Sequence, residues 1–178
     1  MRLHNTVIVL LFCLFFCPVV SVLAEDHVAG WGRVNMQGAI IDTACAIVVN
    51  SREQTIDMGV LSLSDFIRDG HGHSRPFSID LVNCITERPG KKGWKKFQVT
   101  FDGESNGKLF CVNGDASGVA LQIIDTQGNV AIPGKAMPSM DIIPGDNKMG
   151  YVMRLVTNNQ TLKSGYYLSS IRFKLDYF

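Results

Sequence analysis

The residues with most chemistry to offer are the cysteines and one close pair of histidines. His71 and His73 sit in "DGHGHS". Two imidazoles at i and i+2 can share a metal ion, but no third or fourth ligand is spaced to complete a site, and Gly-rich loops carry such residues idly. Of five cysteines, Cys13 and Cys17 fall in an apolar leader, which leaves Cys45, Cys84 and Cys111. Three thiols in an exported chain predict one disulfide and one thiol left over. Cys45 follows one strand-like stretch and Cys84 ends another, so a Cys45–Cys84 bridge would staple two strands. It closes a loop of about 40 residues, worth roughly 3–4 kcal/mol on the chain-entropy model. Cys111, in "KLFCVNG", reads as a buried, inert small hydrophobe. Paired catalytic carboxylates, a nucleophile elbow, a phosphate-cradling loop and a dinucleotide fingerprint are all missing. Nothing in the sequence asks for an enzyme or a cofactor.

The leader explains why an oxidising compartment is expected. Arg2 gives a positive start, Val7 to Cys17 an apolar run, and Val22-Leu23-Ala24 a small-residue cleavage site. Residues 1–24 therefore read as a secretory signal peptide, too short at its core for a membrane span. The chain beyond residue 24 suits a single domain, and no second apolar run suggests an anchor. A formal net charge of +1 gives no reason to expect nucleic acid. The local cluster Lys91, Lys92, Lys95 and Lys96 around Trp94 reads as a solvated loop between strands. Asn159-Gln160-Thr161 fits a glycosylation sequon, a pattern common by chance.

The elements that must position these residues show period-two patterning. "RVNMQGAII" places Val34, Met36, Gly38 and Ile40 on one side and Arg33, Asn35 and Gln37 on the other. "PFSIDLVNC" aligns Phe77, Ile79 and Leu81; "KKFQVTFDG" aligns Phe97, Val99 and Phe101. "GVALQIID" and "GYVMRLVT" come next, and the chain ends in "SGYYLSSIRFKLDYF", with Tyr167, Ile171, Phe173, Leu175 and Tyr177 on one face. Half-buried strands carry this alternation, bounded by Gly, Asn, Asp and Pro. Asp102-Gly103, Asn106-Gly107, Asn113-Gly114 and Gln127-Gly128-Asn129 read as turns. Residues 133–148, broken by Pro133, Pro138 and Pro144, read as loop or edge rather than central strand. No stretch longer than ten residues shows a helical period, and "LSLSDFIRDG" (61–70) could hold one short turn of helix. The pattern predicts an all-β sandwich.

Taken in order, these pieces resemble the pilin subunits assembled by the chaperone–usher pathway of Gram-negative bacteria. "GRVNMQGAIIDTAC" is similar to that family's donor segment running into its first strand and first cysteine. "DLVNC" supplies the second cysteine and "GVALQIIDTQGN" the recurring strand and turn. Gly165, fourteenth from the end, precedes alternating apolar residues and a penultimate aromatic, Tyr177. "DMG", "VTFDG", "GKAMP" and the "LKSGYY…LDYF" tail look most like minor subunits, including terminating subunits at the base of P-type pili.

The resemblance implies an immunoglobulin-like sandwich lacking its seventh strand, with an open groove beside the C-terminal strand. Its domain plan would be a donor-strand extension at 25–38 and a pilin domain at 39–178. The donor face would be Gly30, Gly32, Val34, Met36 and Gly38, with glycine at 32 where a backbone must approach closely. The acceptor-groove strand would carry Gly165, Tyr167, Ile171, Phe173, Leu175 and Tyr177. Implied partners are a periplasmic pilus chaperone, an outer-membrane usher and neighbouring pilin subunits. The implied function is a minor structural subunit that polymerises by donor-strand exchange and supports adhesion. A terminator with a closed groove and a secreted carbohydrate-binding adhesin domain are the alternatives. Trp31 and Trp94 could stack on a sugar in the adhesin reading.

Overall fold

The computed structural model describes residues 32–40 and 42–178. The predicted signal peptide, Gly30 and Trp31 lie outside the described residues. The chain divides into two units, Met1–Ile40 and Ile41–Phe178. In the first, residues 32–40 form no regular element, and Val34 and Met36 are 90% and 92% exposed.

In chain order the second unit forms β1 (Ala46–Ile47), α1 (Val49–Arg52), α2 (Leu63–Asp69), β2 (Arg75–Cys84), β3 (Lys96–Asp102) and β4 (Ser105–Asn106). It continues with β5 (Leu109–Phe110), β6 (Asn113–Gly114), β7 (Val119–Asp125), β8 (Met140–Asp141), β9 (Gly145–Thr157), β10 (Tyr167–Leu168) and β11 (Arg172–Tyr177). All strand pairs are antiparallel. One sheet has the order β1-β2-β9-β7-β5-β4, a second β11-β3-β8, and β10 pairs with β6. The alternating apolar residues of the two larger sheets meet face to face. Phe77 of β2 lies edge-on to Phe101 of β3 at 6.2 Å, and Tyr151 of β9 lies 5.4 Å from Phe77 and 5.0 Å from Phe101. Ile79, Leu81, Val99 and Ile123 complete a fully buried core. Cys45 and Cys84 are bonded, with their α-carbons 4.1 Å apart, at the edge where β1 meets β2.

The structure departs from the sequence reading in four places. Asn113-Gly114 is not a turn but strand β6, paired with β10. Gly145 to Lys148 belong to β9 and pair with β2 from Asp80 to Cys84, so the strand begins directly after Pro144 rather than beyond 148. A short helix the sequence reading did not name, α1, stands at Val49–Arg52, whereas the one expected within 61–70 is present as α2: the Ser62 side chain accepts from Asp65 N, and Gly70, at φ 73°, closes it in the left-handed region. Cys111 is half-buried rather than enclosed; burial, with Glu104 nearby, still pushes its thiol pKa up.

Candidate functional site

The last strand has one neighbour. β11 pairs with β3 from Arg172↔Asp102 to Tyr177↔Phe97, and among the described residues no strand lies on its other edge. An unpaired edge presents a row of backbone N–H and C=O groups able to bind another strand. Its inner side chains, Phe173, Leu175 and Tyr177, together with Ile171 and Tyr167 upstream, are only partly buried against the core.

Beside this edge runs a groove of about 1350 Å³. Tyr166 to Phe173 form one wall and Gln54 to Leu61 the other; Phe77, Ile79, Phe101, Ile123 and Leu155 reach it from the core. The second wall escaped the sequence reading, although Ile56 and Met58 alternate. The sequence alternation runs on to Val60, but the chain bends at Gly59, φ +71°, so Val60 is exposed and Leu61 turns inward. That φ lies in the left-handed region, which favours glycine; the space itself is closed only by the movable end of Arg75, whose Nη2 would lie 2.8 Å from a Cβ. The wall is tethered rather than paired. Gln54 Nε2 donates to Ser78 O at 2.8 Å, and within the wall Asp57 Oδ1 accepts from Gly59 N at 2.8 Å and fixes the bend.

Of the residues expected to form an acceptor strand, Gly165, Tyr167, Ile171 and Phe173 line the groove. Leu175 and Tyr177 continue the same strand past it and pack on the core, with Tyr177 5.9 Å from Trp94. Gly165 has a specific reason to be glycine: a Cβ there would lie 2.6 Å from Asp115, whose backbone N–H donates to Tyr166 O. Of the expected donor residues, Val34 and Met36 stand exposed, and Gly32 and Gly38 have no described atom within 4 Å of a built Cβ. Gly30 lies outside the described residues.

Burial is the main cause raising the Tyr167 hydroxyl pKa, with Asp57 adding to the shift and Arg75 opposing it. Burial also raises Tyr177, against a backbone hydrogen bond from Cys45. Among the described residues no three His, Cys, Asp or Glu side chains cluster to hold a metal. His71 Nδ1 lies 3.0 Å from the carbonyl oxygen of the next residue, Gly72. An elongated apolar groove beside an unpaired strand edge can take an extended peptide that supplies both backbone pairing and side chains.

Comparison with known proteins agrees with this geometry. Residues 34–177 match the Fimbrial protein family. The chain is 34% identical over 158 residues to the PRS fimbrial minor pilin protein of Escherichia coli, an alignment covering 86% of this chain and 80% of the relative. The PAP fimbrial minor pilin protein of Escherichia coli matches with the same identity and coverage. A chain in the solved structure of a chaperone–usher pilus superposes with a TM-score of 0.66 at 26% identity, covering 84% of this chain and 96% of that one. The strand order, the disulfide and these matches lead to one assignment: the chain belongs to the fimbrial protein family and has the immunoglobulin-like pilin fold.

Proposed function

We propose that this fimbrial subunit is a minor pilin that polymerises by exchanging strands, lending its N-terminal segment to one neighbour and accepting a strand from another. The observation that carries the proposal is the unpaired edge of β11 beside the apolar groove. As a pilin it is exported, assembles with other subunits through a periplasmic chaperone and an outer-membrane usher, and ends in a surface fimbria. Within that route, residues 1–24 act as signal peptide, 25–38 as donor extension and 39–178 as the accepting domain. Donor residues Gly30, Gly32, Val34, Met36 and Gly38 would face a neighbour's core, and Gly165, Tyr167, Ile171, Phe173, Leu175 and Tyr177 would border the strand received. Supporting adhesion is the role the assembled fibre would serve.

A strand burying several hundred Å² of apolar surface gains on the order of 10 kcal/mol. Ordering the donor segment takes back a large part of that gain. Most of the net preference must therefore come from the backbone ladder and from the poor state of an uncovered groove, whose exposed apolar surface favours aggregation. An open groove supports the acceptor role over a terminator with a closed one.

The test is displacement. The subunit is loaded on its periplasmic chaperone, peptides matching the N-terminal segments of candidate neighbours are added, and chaperone release is followed by native mass spectrometry. Release by at least one such peptide, and not by its aspartate-substituted version, is expected. A loaded subunit that releases its chaperone to no donor would overturn the acceptor role and leave the terminator.

A further inference from the structure

The loop between β2 and β3 does more than connect them. Thr86 O accepts from Trp94 N at 2.8 Å, closing the loop at its base, and Gly93 packs so tightly on Thr86 O that no side chain fits there. From this closed loop two cations reach back to Asp42, the first described residue of the second unit. Arg88 pairs with Asp42 Oδ2 through Nη2 and through Nε at 3.2 Å, and Lys91 Nζ reaches the same oxygen at 3.4 Å. The guanidinium also stacks on Trp94, 4.0 Å above the ring, and its Nη1 donates to Lys92 O at 3.4 Å. An isolated surface ion pair contributes little because long side chains must be ordered to form it. Here the Arg88 side chain is only 19% exposed and already seated over an indole, so much of that ordering is done by packing.

The next residues along are fixed by other means. Ala44 O accepts from Ile85 N at 2.9 Å, and Cys45 is bonded to Cys84. Asp42 is thus the outermost of three successive anchors, and its only described side-chain partners are the two cations of this loop.

We propose that the Arg88–Trp94 stack is a clasp that pins Asp42 and so fixes the root from which the N-terminal extension leaves the domain. Releasing it moves the first described fixed point to Ala44 and frees the span of Asp42 and Thr43, about 7 Å when extended. The consequence for assembly, a set reach between a subunit and the neighbour receiving its strand, rests on the strand-donation reading. The clasp itself does not.

An endoprotease that cuts before aspartate provides the test, because Asp42 remains a cutting site in an Arg88 variant. The chaperone-loaded subunit is digested and the fragment that begins at Asp42 is timed by mass spectrometry, with cleavage before the exposed Asp115 as internal reference. Arg88→Gln should speed the Asp42 cut by about five- to twentyfold and leave the Asp115 cut unchanged. Arg88→Lys, which keeps charge but loses the guanidinium over the indole, should fall between. If Arg88→Gln fails to fold, hydrogen exchange at the amides of residues 42–44 in Arg88→Lys carries the test, with faster exchange expected there than in the unaltered chain. An unchanged Asp42 rate, unchanged exchange in the fallback, or equal acceleration at Asp115 would overturn the clasp. Failure of donor peptides to displace the chaperone would leave this result standing, so the two ideas fail separately.

Discussion

Strands β3 and β11 are partners, yet they live in different surroundings. Phe101, Val99 and Phe97 of β3 oppose Phe173, Leu175 and Tyr177 of β11 one for one. The β3 residues are 2%, 0% and 2% exposed, whereas all three β11 residues are only half-buried. Both strands alternate equally well, and both send the same kind of side chain toward the same core. What differs is the company on the far edge. β3 has β11 on one side, and on the other a segment in which Gly134 N donates to Phe101 O, Met137 N to Val99 O, and β8 pairs further along. β11 has β3 alone among the described residues. Enclosure of a strand's inner face thus depends on its lateral neighbours as much as on its own pattern.

The largest effect that can break this contrast is truncation on each side of one pair. Phe101→Ala removes a ring packed on Phe77, Tyr151 and Phe173 and should cost about 3–5 kcal/mol in urea unfolding of the isolated domain. Phe173→Ala, on the open side, should cost about 1–2 kcal/mol under the same conditions, because part of its ring is already in water. With a donor peptide bound, the Phe173→Ala cost should climb toward that of Phe101→Ala. Equal costs in the empty domain would show that β11 is covered by some other means, and the contrast would fail.

This contrast also marks what could be read in advance. Period-two spacing identified the inward faces of β2, β3 and β11, because alternation reports which side of a strand meets the core. It could not report how many neighbours each strand has, since pairing joins residues as distant as Phe101 and Phe173. The open edge entered the sequence reading only through the resemblance to pilins. The wall at Gln54–Leu61 also alternates in sequence, at Ile56, Met58 and Val60, yet that pattern misplaces its inner face, because the chain bends at Gly59 and turns Val60 out and Leu61 in. Asn113-Gly114 looks like a turn because glycine usually supplies a positive φ there. In the fold its φ of 133° and its contact with Tyr166 O serve a tight strand pairing instead. The Arg88–Asp42 clasp joins residues 46 apart and had no local signal.

The corner that leads into β11 should respond less than the core pair. Gly165→Ala drives a methyl group against Asp115 and should cost about 1–3 kcal/mol by chemical denaturation. It acts whether or not the groove is filled, because the clash lies within the chain's own backbone. If a bound donor peptide rescued the variant fully, Gly165 would belong to the groove rather than to the corner.

The smallest effect distinguishes the open part of the C-terminal segment from its closed end. Tyr167 lines the groove, while Tyr177 packs against Trp94 beyond it. Burial raises both pKa values above the ordinary value of about 10. For a group whose folded pKa is raised, the associated stability is fully present below the unfolded value and is lost as pH rises through the folded one. Stability should therefore decline above about pH 10, with Tyr151, pushed up further by burial on β9, the last of the three to ionise. A strand laid in the groove removes water from around Tyr167 but barely alters Tyr177, so it should raise the first midpoint further and leave the second in place. Ring-carbon NMR titration of labelled tyrosines, with and without the donor peptide, measures both at once. If both midpoints moved together, or Tyr167 stayed put while the peptide was bound, the inserted strand would not lie beside Tyr167, and the groove would be read along the wrong stretch of the chain.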